Sequence, residues 1–316
     1  MYTFLDRRGF LKVMCGGTAA GISAAALNGC AVKESGKIKP ENSAPQKEGN
    51  SQPWQMRLST SSIHFMQLPI EQACAEISKL GFEAIDIWSP HEGCTHLDDV
   101  AARLGPEGLK RLLAQYKLKL FSFSVYQGGY AKYADLLGKA GGGVAIQGAP
   151  AYKQGDLQKR MKEFLETLKP LIEKAEKYNS YLAIENHGHT LLNTLDSFKA
   201  FVDNNKSQRL GIALAPFHLQ RLQASVPEAI RICGKQLLFF YAWQNQEGAR
   251  QLPGIGPTDM TGWIRALAEI RYRGYVNPFM HGHPEVEVMR ADLAKSRAYL
   301  LSCYKQICSS ISDKDK

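Results

Sequence analysis

The sequence predicts an α/β protein of the (β/α)8 TIM-barrel class, and three observations support this prediction. From Met56 onward, short apolar runs alternate eight times with amphipathic stretches. Some of the runs, such as 237–241, are apolar throughout, as in parallel strands covered by helices on both faces. The eight units occupy about 260 residues, and ~250 is typical of this barrel.

The apolar runs and the stretches between them define the predicted elements. The predicted strands are 57–64, 82–88, 119–126, 143–147, 181–185, 211–215, 237–243 and 275–281. The predicted helices are 70–80, 97–116, 130–139, 157–178, 196–204, 226–233, 259–272 and 285–307. Pro170 is expected to kink the fourth helix, because proline removes a backbone donor.

A doubly wound open sheet is the alternative fold. It would normally carry a glycine-rich phosphate loop after the first strand. Residues 59–64 read Ser-Thr-Ser-Ser-Ile-His there, and the chain contains no GxxxxGK[ST] motif. The sequence therefore favours the barrel and predicts no nucleotide cofactor.

The amino terminus has the pattern of an export signal over residues 1–30. Arg7 and Arg8 resemble the twin-arginine motif, and a weakly apolar stretch follows over 13–26. Residues 27–30 resemble a lipobox with Cys30 as the lipidated residue, and plain cleavage near 24–26 is the alternative. We expect a protein of the periplasm or cell envelope that meets the membrane through a lipid on Cys30.

Composition divides the rest of the chain and limits its partners. Residues 31–53 are polar and predict a disordered tether, followed by a single barrel domain over 54–308 and a polar tail over 309–316. The formal charge is +9, but the basic residues mix with acids on helices, as in 159–177. This mixture predicts solvated helix faces and no nucleic-acid partner. The oligomeric state is left open.

Cysteines do not form a framework in the predicted mature chain. The five that follow Cys30 are scattered, and no CxxC pair occurs among them. The sequence therefore predicts neither a disulfide scaffold nor a structural zinc site.

Histidines gather where a barrel places its active site, at the carboxyl ends of the strands. All eight lie at predicted strand ends or in the loops that follow, where random scatter would place about two. They are His64, His91, His96, His187, His189, His218, His281 and His283. This distribution predicts one site at the barrel mouth.

Three residues are the candidate catalytic groups. Glu185 ends an apolar strand, where an unpaired carboxylate is costly, and His218 follows the neighbouring strand. His281 follows the eighth strand. Polar and aromatic groups at strand ends suit a polyhydroxylated ring. The candidate substrate-binding residues are His64, Trp88, Tyr126, His187, Trp243, Gln244 and His283.

Several motifs, taken in order, resemble the xylose-isomerase-like barrel superfamily of sugar isomerases and epimerases. They are Ile184-Glu185-Asn186-His187-Gly188, Gly254-Ile255-Gly256-Pro257-Thr258-Asp259, Gly274-Tyr275 and Ser296-Arg297-Ala298-Tyr299-Leu300. The resemblance covers most of 56–302. It implies the barrel fold and proton transfer alpha to a sugar carbonyl.

The same resemblance implies a divalent metal held by Glu, Asp, His and Glu from four strand ends. The first ligand matches at Glu185, whereas the other three positions fall on Ala215, near Tyr241, and at or near His281. These changes argue against the usual metal set. If a metal binds, Glu185 and His281 are the best candidate ligands.

Two classes of function follow. The first is an exported carbohydrate-active enzyme that isomerises, epimerises or eliminates on a free sugar, polyol or keto-glycoside. The rival is a non-catalytic carbohydrate-binding lipoprotein on a decayed barrel. Endonuclease IV shares the barrel, but scattered charge and the altered ligands argue against a DNA substrate.

Overall fold

The computed structural model describes residues 53–312. The predicted export signal over 1–30, with Cys30, and residues 31–52 of the predicted tether lie outside this range. No helix within 53–312 is both long and apolar enough to cross a membrane.

Eight parallel strands form one sheet in the order of the sequence. They are Ser59–Ser61 (β1), Ala84–Trp88 (β2), Lys119–Ser124 (β3), Val144–Gly148 (β4), Tyr181–Glu185 (β5), Leu210–Leu214 (β6), Leu237–Ala242 (β7) and Val276–Pro278 (β8). Leu58 forms a parallel bridge with Val276, which brings the first strand beside the last. The predicted (β/α)8 barrel is therefore confirmed.

Helices connect the strands on the outside of the barrel. They are Ile70–Lys79 (α1), His96–Asp99 (α2), Gly105–Gln115 (α3), Gly129–Lys139 (α4), Leu157–Thr167 (α5), Lys169–Lys177 (α6), Leu195–Asn204 (α7), Pro216–Arg221 (α8), Val226–Cys233 (α9), Thr261–Glu269 (α10) and Val286–Ser312 (α11). The long fourth helix breaks into α5 and α6 just before Pro170, as expected.

The first and the last strand of the sheet are both shorter than predicted. The first strand stops at Ser61, and Ser62–Phe65 is a 3-10 helix. The imidazole of His64 reaches back to the hydroxyl of Thr60, 3.0 Å away, which stabilises this turn. The eighth strand ends at Pro278, which has no N–H to continue a ladder.

Two helices also differ from their predicted bounds. The second predicted helix, 97–116, is interrupted by a π-helix over Val100–Leu104, after which Gly105 has φ of +59° and is followed by Pro106. Both residues disturb the regular helical hydrogen-bond pattern. The last helix begins at Val286 and continues to Ser312, so it covers the first part of the predicted polar tail.

The barrel interior is apolar near the amino ends of the strands and polar above that layer. Phe121 and Phe239 stack with ring centroids 4.9 Å apart, and Tyr275 packs against Phe121 at the same distance. Above them lie buried polar side chains from several strands: Ser61, Asp86, Ser122, Ser124 and Asn277. The mouth of the barrel therefore rests on a hydrogen-bonded layer.

Candidate active site

Four aromatic rings form the floor of the barrel mouth, two from β2 and β7 and two from the residues that directly follow β7 and β8. Trp88 stacks on Phe279 with centroids 5.2 Å apart and planes 10° apart. Tyr241 and Trp243 contact the same Phe279 ring edge-on, at 5.1 and 5.3 Å. We call these residues the aromatic floor. It provides a rigid apolar surface beside the polar groups.

Glu185 is the last residue of β5 and is only 7% exposed. Burial removes water from its carboxylate and raises its pKa from 4.5 to about 7, and the negative charge of Asp86 acts in the same direction. A hydrogen-bonding interaction with the Tyr126 hydroxyl and the nearby His281 oppose this rise. A carboxyl with a pKa near neutrality can both accept and return a proton at physiological pH.

Two phenols lie beside Glu185. The hydroxyl oxygens of Tyr126 and Tyr241 are 2.9 Å apart, and that of Tyr241 is 3.5 Å from the hydroxyl of Ser124. Burial and the neighbouring carboxylates raise both phenol pKa values well above their usual range. Both phenols therefore keep their protons and act as hydrogen-bond donors and acceptors.

A second buried carboxylate, Asp86 on β2, lies beneath the aromatic floor. It accepts hydrogen bonds from the hydroxyls of Ser61 and Ser122 at 2.8 Å, from Ser124 at 3.0 Å and from the indole N–H of Trp88 at 2.6 Å. Desolvation nevertheless raises its pKa to about 6, against the effect of these four donors.

His218 lies in α8, just after β6, and is buried. Neither ring nitrogen has a hydrogen-bond partner within the described residues. Burial, helped by the charges of His187 and Arg221, lowers its pKa to about 3, so the ring is neutral. A neutral imidazole still carries one N–H, which can donate a hydrogen bond to a carbonyl or hydroxyl oxygen of a ligand. The exposed His187 ring covers it, with centroids 4.1 Å apart.

Asn186 fixes His218 relative to Glu185. Its side-chain amide donates to the carbonyl of Ala215 at 3.1 Å and accepts from the N–H of the same residue at 2.7 Å. These bonds join the ends of β5 and β6, so both candidate catalytic residues are held by one rigid connection.

The loops after β2 and β8 meet at the rim of the mouth. Glu92 lies with one carboxylate oxygen 3.0 Å from Nδ1 of His281 and the other 3.0 Å from Nε2 of His283. His281, the largest cause, holds the pKa of Glu92 well below its usual value. The His281 ring also packs on Trp243 and Phe279, with ring centroids 5.1 Å apart in both pairs. It therefore lies against the aromatic floor.

Two predicted substrate-binding residues are engaged inside the protein. His64 donates from Nδ1 to Thr60 and accepts at Nε2 from the N–H of Met280, at 3.3 Å. Gln244 donates to the carbonyl of Leu252 at 2.8 Å and accepts from the N–H of Thr258 at 2.9 Å. Both side chains support loops, which differs from the substrate contact expected from the sequence.

The loop held by Gln244 explains the glycine motif at 254–259. A Cβ on Gly256 would lie 2.1 Å from the carbonyl oxygen of Arg250 and 2.5 Å from the Gln244 amide carbon. Gly254 has φ of +72° and lies against Tyr299. The motif therefore has a structural role beside the mouth.

Most of the predicted site residues do converge. Glu185, His218 and His281 lie at one mouth, His283 lies at its rim, and Trp88, Tyr126, His187 and Trp243 surround them. Four further groups at or beneath the mouth were not among the site residues predicted from the sequence: Asp86, Glu92, Phe279 and the phenol of Tyr241. A carboxylate inside the apolar strand 84–88 was the available signal for Asp86.

A surface cavity of about 620 Å³ lies elsewhere, beside α1 and α2. Its charged groups are already paired, since Arg103 contacts both Glu71 and Asp99 at 2.7 and 2.6 Å. The barrel mouth has unpaired and perturbed groups, and we therefore place the chemistry there.

The residues at the mouth do not fit the metal set implied by the resemblance. Ala215 offers a methyl group, and the Tyr241 hydroxyl is engaged with Tyr126. Along strand eight, every second side chain points into the barrel, and the last of these inward positions is occupied by Phe279. His281 lies beyond it, in the loop that follows the strand. No group of three or more His, Cys, Asp or Glu side chains suited to a metal occurs among the described residues.

Comparisons with known proteins agree with this architecture. A family model described as a xylose isomerase-like TIM barrel matches residues 74–299. No curated protein matches the sequence.

Solved structures share the fold at low identity. An L-ribulose 3-epimerase aligns with a TM-score of 0.64 and 16% identity, covering 83% of this chain and 99% of the epimerase. A 3-keto-D-glucoside 4-epimerase from E. coli aligns at 0.61 and 16%, covering 77% of this chain and 100% of that one. A fusion of a xylose isomerase-like barrel with 4-hydroxyphenylpyruvate dioxygenase aligns at 0.63 and 19%, covering 82% of this chain and 44% of the fusion, less than half its length.

Proposed function

Because the chain belongs to the xylose isomerase-like TIM barrel family, we propose that it is a sugar isomerase- or epimerase-like enzyme that moves a proton alpha to a sugar carbonyl. The observation that carries the proposal is Glu185, a buried strand-end carboxyl with a pKa of about 7. A salt bridge at the rim would instead lower the pKa of a carboxyl.

The proposed step begins with ionised Glu185. Its carboxylate takes the proton from the carbon next to the sugar carbonyl, the C–H electron pair forms the C=C bond, and the carbonyl electrons move to oxygen. The neutral N–H of His218 is the candidate donor to that oxygen, since neither ring nitrogen has a partner within the described residues. Return of the proton gives isomerisation or epimerisation, and loss of a leaving group from the next carbon gives elimination.

The proposed substrate is a free sugar or a keto-glycoside, since the proposed step needs a carbonyl group, which a polyol lacks. The aromatic floor suits the C–H face of a sugar ring, while the half-buried Tyr126 and His281 offer hydrogen bonds at its edge. The similarity to a 3-keto-D-glucoside 4-epimerase supports including a keto-glycoside.

We also propose export and lipid attachment, on sequence grounds alone. Arg7 and Arg8 would direct the chain out of the cytoplasm, and a lipid on Cys30 would hold it at the membrane. A free sugar is the kind of substrate available outside the cell.

The test is a panel of ketoses, aldoses and 3-keto-glycosides incubated with the purified protein and with Glu185→Gln. This substitution keeps the shape of the side chain and removes the base, so turnover is expected to fall ~10²–10⁴-fold. Glu163→Gln, on the exposed face of α5, is the matched control and retains full turnover. Saturable binding without turnover would replace this proposal with the non-catalytic carbohydrate-binding lipoprotein.

A further inference from the structure

The turns at the amino end of the barrel carry charge of almost one sign. They are residues 53–59, which lead into β1, and the seven turns that run from the end of a helix to the first residue of the next strand. Together they contain eight Lys and Arg residues and one acid, Glu83. Arg57 and Arg209 are half-buried. The other six basic side chains are exposed, namely Lys117, Lys119, Lys206, Lys235, Arg271 and Arg273. We call the eight basic residues the basic face.

The loops at the opposite, carboxyl end of the barrel have the reverse balance. Between each strand and the next α-helix, the described residues contain five acids and two basic residues. The acids are Glu92, Asp156, Glu247, Asp259 and Glu285, and the basic residues are Lys153 and Arg250. The charge of the turns and loops is therefore divided along the barrel axis, with the positive end opposite the mouth.

Helix stability explains only part of this pattern. The helices that precede β2 to β8 end at this face, and a basic residue in the last turn of a helix is favoured by the helix dipole. This effect falls off within one turn. Lys119 and Arg273 each lie four residues past the end of the preceding helix, α3 and α10, and both side chains are exposed. Positive charge at these positions fits an anionic partner outside the protein.

The chain enters the barrel at the basic face. The indole N–H of Trp54 donates to the carbonyl of Tyr272, in the turn before β8, at 2.7 Å. The hydroxyl of Tyr304 donates to the carbonyl of Trp54 at 2.9 Å. Cys30, the proposed site of the lipid, precedes position 53 by 23 residues. The covalent connection to a lipid therefore leaves the barrel from the basic face.

We propose that the basic face docks on an anionic phospholipid surface, so that the barrel mouth opens away from the membrane. Lys and Arg side chains are attracted to such a surface within about 10 Å at 0.1 M salt. A basic patch beside a lipid anchor strengthens membrane binding. Trp54 and Tyr304 are half-buried at this face, and both residue types are enriched at membrane–water interfaces. The inference rests on the proposed export and lipid attachment and is independent of the sugar chemistry at the mouth.

Two triple variants separate the basic face from net charge. The face variant changes three exposed residues of the basic face to glutamine: Lys117, Lys119 and Arg273. The control variant makes the same change at two exposed residues of the mouth loops and one of α5: Lys153, Arg250 and Lys162. Both variants lose the same net charge, and neither changes a residue of the candidate active site.

The experiment is sedimentation of the full-length protein with vesicles of three parts phosphatidylcholine to one part phosphatidylglycerol, at low salt. Vesicles of phosphatidylcholine alone are the neutral surface. Every protein carries Cys30→Ala and shares residues 1–52, so a difference between variants comes from the barrel. The parent protein is expected to prefer the anionic vesicles and to be released by added NaCl. Its partition coefficient falls ~10²-fold in the face variant, about fivefold for each basic residue, and is retained in the control variant.

Three results would overturn the docking: equal binding of the parent protein to both kinds of vesicle, undiminished binding by the face variant, or an equal loss in both triple variants. Binding to a DNA duplex in place of vesicles, lost in the face variant, would assign the basic face to nucleic acid instead. If circular dichroism shows that the face variant does not fold, Lys117→Gln and Lys119→Gln are measured singly, each with an expected loss of about fivefold.

Lipid attachment is tested separately, by fractionation of cells that express Cys30→Ala. Screening weakens the docking at physiological salt, so the basic face alone does not hold the unlipidated protein in the membrane fraction. A failure of the lipid proposal therefore leaves the vesicle comparison to decide the basic face.

Discussion

Glu185→Gln should change how the stability of the protein depends on pH. The pKa of Glu185 rises from 4.5 to about 7 on folding. Below pH 4.5 the carboxyl is protonated in both states and has no effect on the free energy of unfolding. Between pH 4.5 and 7 the unfolded chain releases the proton while the folded protein keeps it, so stability is lost as pH rises.

The magnitude follows from these two values. By linkage, the raised pKa of Glu185 lowers the free energy of unfolding by about 0.8 kcal/mol at pH 5 and by about 3.3 kcal/mol at pH 8. The wild type therefore loses about 2.5 kcal/mol of stability between pH 5 and pH 8 through this residue. Glutamine does not titrate, and Glu185→Gln should lack this penalty. The fall in stability between pH 5 and pH 8 should therefore be about 2.5 kcal/mol smaller in the variant.

The assay is urea unfolding of both proteins at pH 5 and pH 8, followed by circular dichroism. Glu163→Gln replaces an exposed carboxyl of α5 and should leave the wild-type pH difference unchanged. If Glu185→Gln has the same pH difference as the wild type, Glu185 is not the desolvated carboxyl described above.

Three further predictions concern other residues. His218→Leu should retain or gain stability in urea unfolding, because neither ring nitrogen has a partner within the described residues, while kcat falls ~10²-fold in the sugar assay; a large loss of stability would show that the ring is structural. Gln244→Ala should cost about 2–3 kcal/mol of unfolding free energy, because the buried Leu252 carbonyl and the Thr258 N–H lose their partner; an unchanged urea midpoint would contradict the supporting role. Replacing Arg7 and Arg8 by lysine should block export in cell fractionation, and Cys30→Ala should release the exported protein from the membrane fraction; unchanged locations would reject the two motifs.

The fold could be predicted from the sequence because each βα unit carries its own local pattern. The run 181–185, for example, coincides with a strand. The helical segment that contains Pro170 is interrupted just before this residue, because proline has no backbone N–H to donate. The bounds were less accurate where a long-range contact decides them. The first strand ends at Ser61 because His64 bonds Thr60 and the backbone of Met280, which is far away in sequence.

The convergence of the predicted site residues followed from the sequence, whereas their roles stay predictions. The structure brings Glu185, His218 and His281 together at one mouth, as expected from their positions after the strands, since every strand end of a barrel faces one mouth. Sequence position cannot show which way an amide turns, and Gln244 therefore looked like a ligand-binding group although both of its polar atoms hold a loop.

Asp86 was missed for a related reason. Its importance comes from four donors on β1, β2 and β3 and from the two phenols above it, and this arrangement exists only after the barrel closes. Within β2 itself, it is a single carboxylate in an apolar strand.

Solvent deuterium exchange tests the central claim, proton transfer by Glu185, most directly. The protein is incubated in D2O with the ketoses and 3-keto-glycosides of the panel, and deuterium at the carbon next to the carbonyl is measured by proton NMR. Proton transfer by Glu185 predicts that wild-type protein exchanges this hydrogen on at least one sugar and that Glu185→Gln exchanges it ~10²–10⁴-fold more slowly. Exchange at the wild-type rate in Glu185→Gln, or sugar binding with no exchange in the wild type, would contradict it.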